Sequence, residues 1–159
     1  MAAWSKCLSF ADPFLYQAAI RAADLELFPT ARGEFRAELT QICLNKLWMQ
    51  HANESLPRVW VGTVSPVRKV IGFLAGANDP TMVHCGMSVS PGDIIVNSTD
   101  VLHRRTEAAC GWRSMSLALD DYAIARKAIV GHVFQGEMRD IKLLELPKYL
   151  GVGDLAGYD

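Results

Sequence analysis

The sequence predicts a mainly β domain, a jelly roll or small barrel, with a short helix before it and another after it. Three observations carry that expectation. Short stretches between residues 25 and 118 alternate apolar and polar residues with a period of two, as half-buried strands do. Gly, Pro, Asn and Asp punctuate them at even spacing. Helical periodicity shows only toward the two ends, so the strands are not interleaved with helices as in a βαβ fold.

The elements follow in order. Asp12-Pro13 opens a helix, because Asp caps the free N–H groups and Pro fits the first helical position. Phe14 to Ala23 then runs at helical spacing and ends near Asp24, before Pro29. From Glu34 the period becomes two: Phe35, Ala37, Leu39, Gln41 and Cys43 share one face. Leu47 to Gln50 follows a turn at Asn45-Lys46, and Asn53-Glu54-Ser55 reads as a loop. Arg58 to Val61, Lys69 to Leu74 and Met82 to Cys85 are further strands. Pro91-Gly92 makes a tight turn, since Pro presets φ and Gly accepts positive φ. Ile94 to Val96 is a β-branched run, Asn97 to Asp100 is a polar turn, and Leu102-His103 opens the next strand. Cys110 to Leu117 alternates again. Asp120 caps a helix that reaches Val130, and Gly131 stands where a C-terminal glycine belongs. Asp140 to Leu146 reads as one more strand. The expected division is an arm and helix over 1–24, a barrel over 25–118, a helix over 119–131 and a tail or linker over 132–159.

Composition narrows the function classes. At 159 residues, 50% hydrophobic and 21% charged, the chain suits one globular core. A net charge of −1 lacks the basic excess of a nucleic-acid binder; Arg68-Lys69 and Arg104-Arg105 are small clusters. Cys7, Cys43, Cys85 and Cys110 have no metal spacing and read as free thiols in a reducing cytosol. No signal peptide and no run of transmembrane length is apparent, so a cytoplasmic location without membrane contact is expected.

The chemical motifs are sparse. His51, His84, His103 and His132 form no His-x-His pair, and no metal or other cofactor is expected. Adjacent His84 and Cys85 point to opposite faces of a strand and cannot act as a pair. No Gly-x-Ser-x-Gly elbow and no dinucleotide-binding glycine pattern occurs. No catalytic residue is assigned. Trp48, Trp60 and Trp112 lie on strands, where they suit a core or the wall of an apolar pocket. His103 is a candidate polar contact in such a pocket. Arg58 and Arg113 suit an anionic ligand or the surface.

Three stretches resemble a known family: Phe35-Arg-Ala-Glu-Leu-Thr; Leu47-Trp-Met-Gln with Glu54-Ser-Leu-Pro-Arg58; and Pro91-Gly-Asp-Ile-Ile-Val with His103-Arg. Over roughly residues 10 to 131 the chain resembles the N-terminal cupin-like domain of AraC-type transcriptional regulators. The resemblance implies a cupin-like jelly roll that senses a small-molecule effector and forms a homodimer through the helix that follows it. It also implies that DNA is bound only by a separate helix-turn-helix half, for which too few residues follow Gly131. The expected ligand contacts are Trp48, Trp60, His103 and Trp112. The expected dimer surface is Tyr122, Ala125 and Ile129. The other readings are a stand-alone cupin enzyme, such as a metal-dependent oxygenase or isomerase, and a dimerisation module that binds nothing.

Overall fold

The computed structural model describes residues 2–97, 101–133 and 142–145. They form two sheets and two helices. Strands β1 (Trp4–Phe10), β3 (Ala37–Leu44), β4 (Leu47–Glu54), β6 (Arg68–Leu74), β9 (Asp93–Val96), β11 (Cys110–Ala118) and β12 (Lys142–Glu145) make a seven-stranded sheet ordered β1-β3-β4-β11-β6-β9-β12. Strands β2 (Ala23–Pro29), β5 (Arg58–Val64), β7 (Met82–His84), β8 (Met87–Val89) and β10 (Val101–Thr106) make a five-stranded sheet ordered β2-β5-β10-β7-β8. Pairing is antiparallel except between β9 and β12. Both sheets are open, each with two edge strands, and among the described residues neither closes on itself.

Alternation explains how the layers meet. Along β3, Ala37, Leu39, Gln41 and Cys43 are buried while their neighbours are more exposed. One core cluster joins Ala37, Leu39, Ala52 and Trp112 of the large sheet to Leu27, Trp60, Val64 and Leu102 of the small one. A second joins Leu74, Ile95 and Cys110 to Met82 and Val89. The inward faces of the two sheets therefore pack on each other, as two half-buried sheets must.

Helix α1 (Pro13–Ala19) seals one side. The Asp12 carboxylate accepts from the Phe14 N–H at 2.8 Å. The helix stops five residues before the expected Asp24: Ile20 is extended and Ala22 takes φ 63°, which turns the chain into β2. Tyr16 is the fully buried residue of α1, packed against Phe10, Phe35 and Trp60 with ring centroids 5.5–5.7 Å apart.

Pro91-Gly92 forms the expected tight turn: the Asp93 N–H reaches the Ser90 carbonyl at 3.0 Å and Gly92 has φ 96°. The polar turn at Asn97 to Asp100 falls outside the described residues beyond Asn97. Strand β1 had no counterpart in the sequence reading, and the expected loop at Asn53-Glu54-Ser55 is still strand through Glu54. Helix α2 (Leu119–Val133) follows β11 directly. The expected tail over 132–159 is described only to Val133 and at β12. All four cysteines are free thiols. No helix among the described residues is long and apolar enough to cross a membrane.

Candidate functional site

The inward faces carry unusual polarity. Gln41, Gln50, Glu54, Arg58, His84, Asn97 and Thr106 are all buried. Buried polar groups must find partners, and these residues sort into two regions.

The first is a charge cluster. Glu54 ends β4 in the large sheet and Arg58 begins β5 in the small one, so their ion pair bridges the layers. Both side chains are at most 1% exposed. Three more donors converge on the Glu54 carboxylate: the Tyr16 hydroxyl, the Trp112 indole N–H at 2.7 Å and the Trp60 indole N–H at 3.4 Å. The Arg58 guanidinium also donates to the Leu56 carbonyl at 3.4 Å, the Cys110 carbonyl at 3.3 Å and the Cys110 Sγ at 3.4 Å. Burial, then the Glu54 charge and hydrogen bond, hold the Tyr16 phenol well above its ordinary pKa, so it stays protonated as a donor. Burial likewise raises the Cys110 thiol, opposed by Arg58, which leaves it a poor nucleophile. The arrangement is a satisfied staple between sheets.

The second region is a cavity of about 40 Å³ between the layers. Ladder register builds it. On the small sheet Arg104 lies opposite Trp60 on one side and His84 on the other. On the large sheet Ser114 lies opposite Gln50 and Gly72. Trp60, Trp112, Gln50, Asn97, Arg104 and Ser114 all line the space, with Arg21 beside them. Gln50 is held by both of its polar atoms: it accepts from the Arg21 N–H at 2.9 Å and donates to the Arg21 carbonyl at 3.0 Å.

Arg104 is half-buried, and among the described residues no carboxylate lies within ion-pair distance of it. Its Nε donates to His84 Nδ1 at 3.3 Å, and His84 Nε2 meets Asn97 Oδ1 at 2.9 Å. Burial, helped by the Arg104 charge, pushes His84 down to about 3, so the ring is neutral near pH 7. Burial also lowers Arg104 from its ordinary value, while the more distant Glu54 raises it.

The structure brings two of the four expected ligand contacts, Trp60 and Trp112, to this cavity. The other two are elsewhere. His103 is exposed, because in β10 Leu102, Arg104 and Thr106 take the inward parity and leave His103 on the outer face opposite Val61. Trp48 shares the inward parity of β4 but lies one repeat beyond Gln50. There the Arg21 and Arg68 guanidinium groups stack on its ring at 3.9 and 3.7 Å from the centroid. Arg68 is fixed by the Ser116 and Lys46 carbonyls, both at 2.7 Å. Arg58 is neither at the surface nor open to a ligand, since Glu54 occupies it; Arg113 is exposed.

Of the expected dimer residues, Tyr122 and Ala125 are half-buried, and the Lys69 ammonium stands 5.9 Å from the Tyr122 ring centroid. The Ile129 side chain lies outside the described residues. On the same helix Leu119 and Ile124 are 48% and 69% exposed.

Sequence reasoning missed Glu54, Tyr16, Arg104 and Asn97. A parity signal was present: Gln50, Ala52 and Glu54 continue one face, as do Arg58 and Trp60. Among the described residues no group of three or more His, Cys, Asp or Glu is placed to hold a metal ion. Comparison with protein-family models, curated proteins and solved structures finds no match to this chain.

Proposed function

We propose that this chain is the ligand-sensing and dimerising part of an AraC-like transcriptional regulator, built as a cupin-like jelly roll, and that it does no chemistry. One observation carries the reading: a cavity between two facing sheets, walled by Trp60 and Trp112 and supplied with polar groups. A pocket that is mostly apolar with a few oriented polar groups is how small molecules are usually held. Support also comes from α2, which leaves the end of β11, the strand that contributes Trp112 and Ser114 to that wall. A ligand that favours one arrangement of the walls shifts the population of that arrangement. DNA contact is not assigned to these residues.

A thermal-shift panel of small acids, sugars and aromatic compounds tests the sensing role. A ligand that binds only the folded state, at a hundredfold excess over its Kd, raises Tm by about 5–10 °C for a domain of this size. A panel without any saturable shift leaves a dimerisation module instead. Stoichiometric metal in the purified protein overturns the non-catalytic reading. Sedimentation of wild type against Ile124→Lys checks the dimer: the charge is expected to yield a folded monomer whose Tm no longer rises with protein concentration.

A further inference from the structure

We infer that the cavity is a carboxylate site, in which Arg104 holds the ligand's carboxylate and the Asn97 side-chain amide supplies a further donor. This deepens the sensing proposal and rests on the cavity being a ligand pocket.

The argument is one of donors and acceptors. A guanidinium has donors only. Since Arg104 Nε bonds His84 Nδ1 at 3.3 Å, Nδ1 is the acceptor and the ring proton sits on Nε2. Nε2 then donates to Asn97 Oδ1 at 2.9 Å, which uses the acceptor of that amide. What remains unused on these two cavity-lining residues is the Asn97 side-chain amide nitrogen and the two terminal nitrogens of Arg104. Among the described residues none of the three has a hydrogen-bond partner. Burial keeps His84 neutral, so it can go on accepting.

The charges agree. Arg21 and Arg104 line the cavity and no Asp or Glu does, among the described residues. The nearby Glu54 charge is already matched by Arg58. A planar carboxylate accepts two parallel bonds from a guanidinium, the strongest such pairing in proteins. Size restricts the ligand further. A space of about 40 Å³ suits a small ligand such as formate or acetate. Trp60, directly opposite Arg104 in the ladder, and Trp112 give a methyl group its apolar wall.

The full chain, labelled with nitrogen-15, is titrated with sodium formate and sodium acetate, with sodium chloride at equal ionic strength, and with acetamide as the neutral analogue of acetate. Saturable movement of two indole N–H resonances, assigned to Trp60 and Trp112, together with a rise in Tm, is expected for the carboxylates alone. Acetamide should bind at least about tenfold more weakly, and Arg104→Met should weaken acetate by a similar factor, as loss of a charged hydrogen bond does. Gly72→Ala serves as a second variant should Arg104→Met not fold. Its Cβ would stand 3.8 Å from Arg104 Nη2, an ordinary contact that takes space from the ligand. It is expected to weaken acetate while Tm stays at the wild-type value. Equal binding of acetate and acetamide, or unchanged acetate binding in both variants, overturns the carboxylate site and leaves the pocket standing. Carboxylates without effect beside a neutral compound that does bind have the same meaning. If neither the carboxylates nor any neutral compound binds, the pocket itself is overturned.

Discussion

Arg58 and Arg104 stand on neighbouring strands of one sheet and face the same interior, yet their surroundings are opposite. Arg58 meets a carboxylate that also accepts from a phenol and two indoles. Arg104 meets a neutral imidazole and lines a cavity. A buried charge without a counter-charge is costly. The first arginine has its answer within the fold, across the two sheets. The second has none among the described residues. The contrast separates a group that holds the layers together from one left open for something outside the chain.

The largest expected effect lies on the closed side. Glu54→Gln removes the partner of a buried guanidinium and should lower stability by about 3–5 kcal/mol. Arg104→Met removes a charge that no carboxylate answers, at the cost of one hydrogen bond, so its loss should stay near about 1 kcal/mol. Urea denaturation of both variants reads the difference, and equal losses would erase the contrast.

Tyr16→Phe sharpens the same comparison at one donor. It deletes a buried hydrogen bond to a carboxylate and little volume, and should cost about 1.5–3 kcal/mol by the same measurement. A loss below half a unit would mean that the remaining donors satisfy Glu54 alone.

Glycine substitutions compare packing in the two regions. A Cβ at Gly111, beside Cys110, would lie 2.4 Å from Asn53 Oδ1 and 2.8 Å from the Ala75 Cβ, so Gly111→Ala should cost about 1–3 kcal/mol. At Gly72, facing Arg104, the nearest atoms are 3.8 Å away, so Gly72→Ala should change stability by less than about 0.5 kcal/mol. Thermal unfolding of the pair gives the answer, and a reversed order would place the loose packing on the wrong side.

Acid probes the open side through the imidazole that Arg104 meets. His84 is depressed to about 3 in the folded chain, against about 6.5 when unfolded. Between those values the unfolded state binds more protons. Stability from this group is therefore complete above about pH 6.5 and falls by about 1.4 kcal/mol for each unit below it. His84→Asn should remove that part of the slope in urea midpoints taken from pH 7.5 to 5.

Strands were legible wherever alternation met turn residues, as at Phe35 to Cys43 and around Pro91-Gly92. Strand β1 was not: it is an edge strand with mostly exposed side chains, and only its pairing with β3 defines it. The site was half legible. Trp60 and Trp112 announced themselves as large residues on strands. Glu54 hid in a polar triplet, because its partners come from residues 16, 58, 60 and 112 and meet only after the sheets pack. His103 drew attention through its motif, but a single residue of register gave the interior to Arg104 instead.

Strand β12 runs parallel beside β9, so the polypeptide that follows α2 returns to the large sheet. β9 in turn is bonded to β6 at Ile71 and Gly72, and Gly72 belongs to the cavity wall. Two ladders thus connect the late part of the chain to the space between the layers. An outermost strand opens before the strands inside it. Its amides, followed by deuterium uptake, are a gauge of how firmly that wall is held.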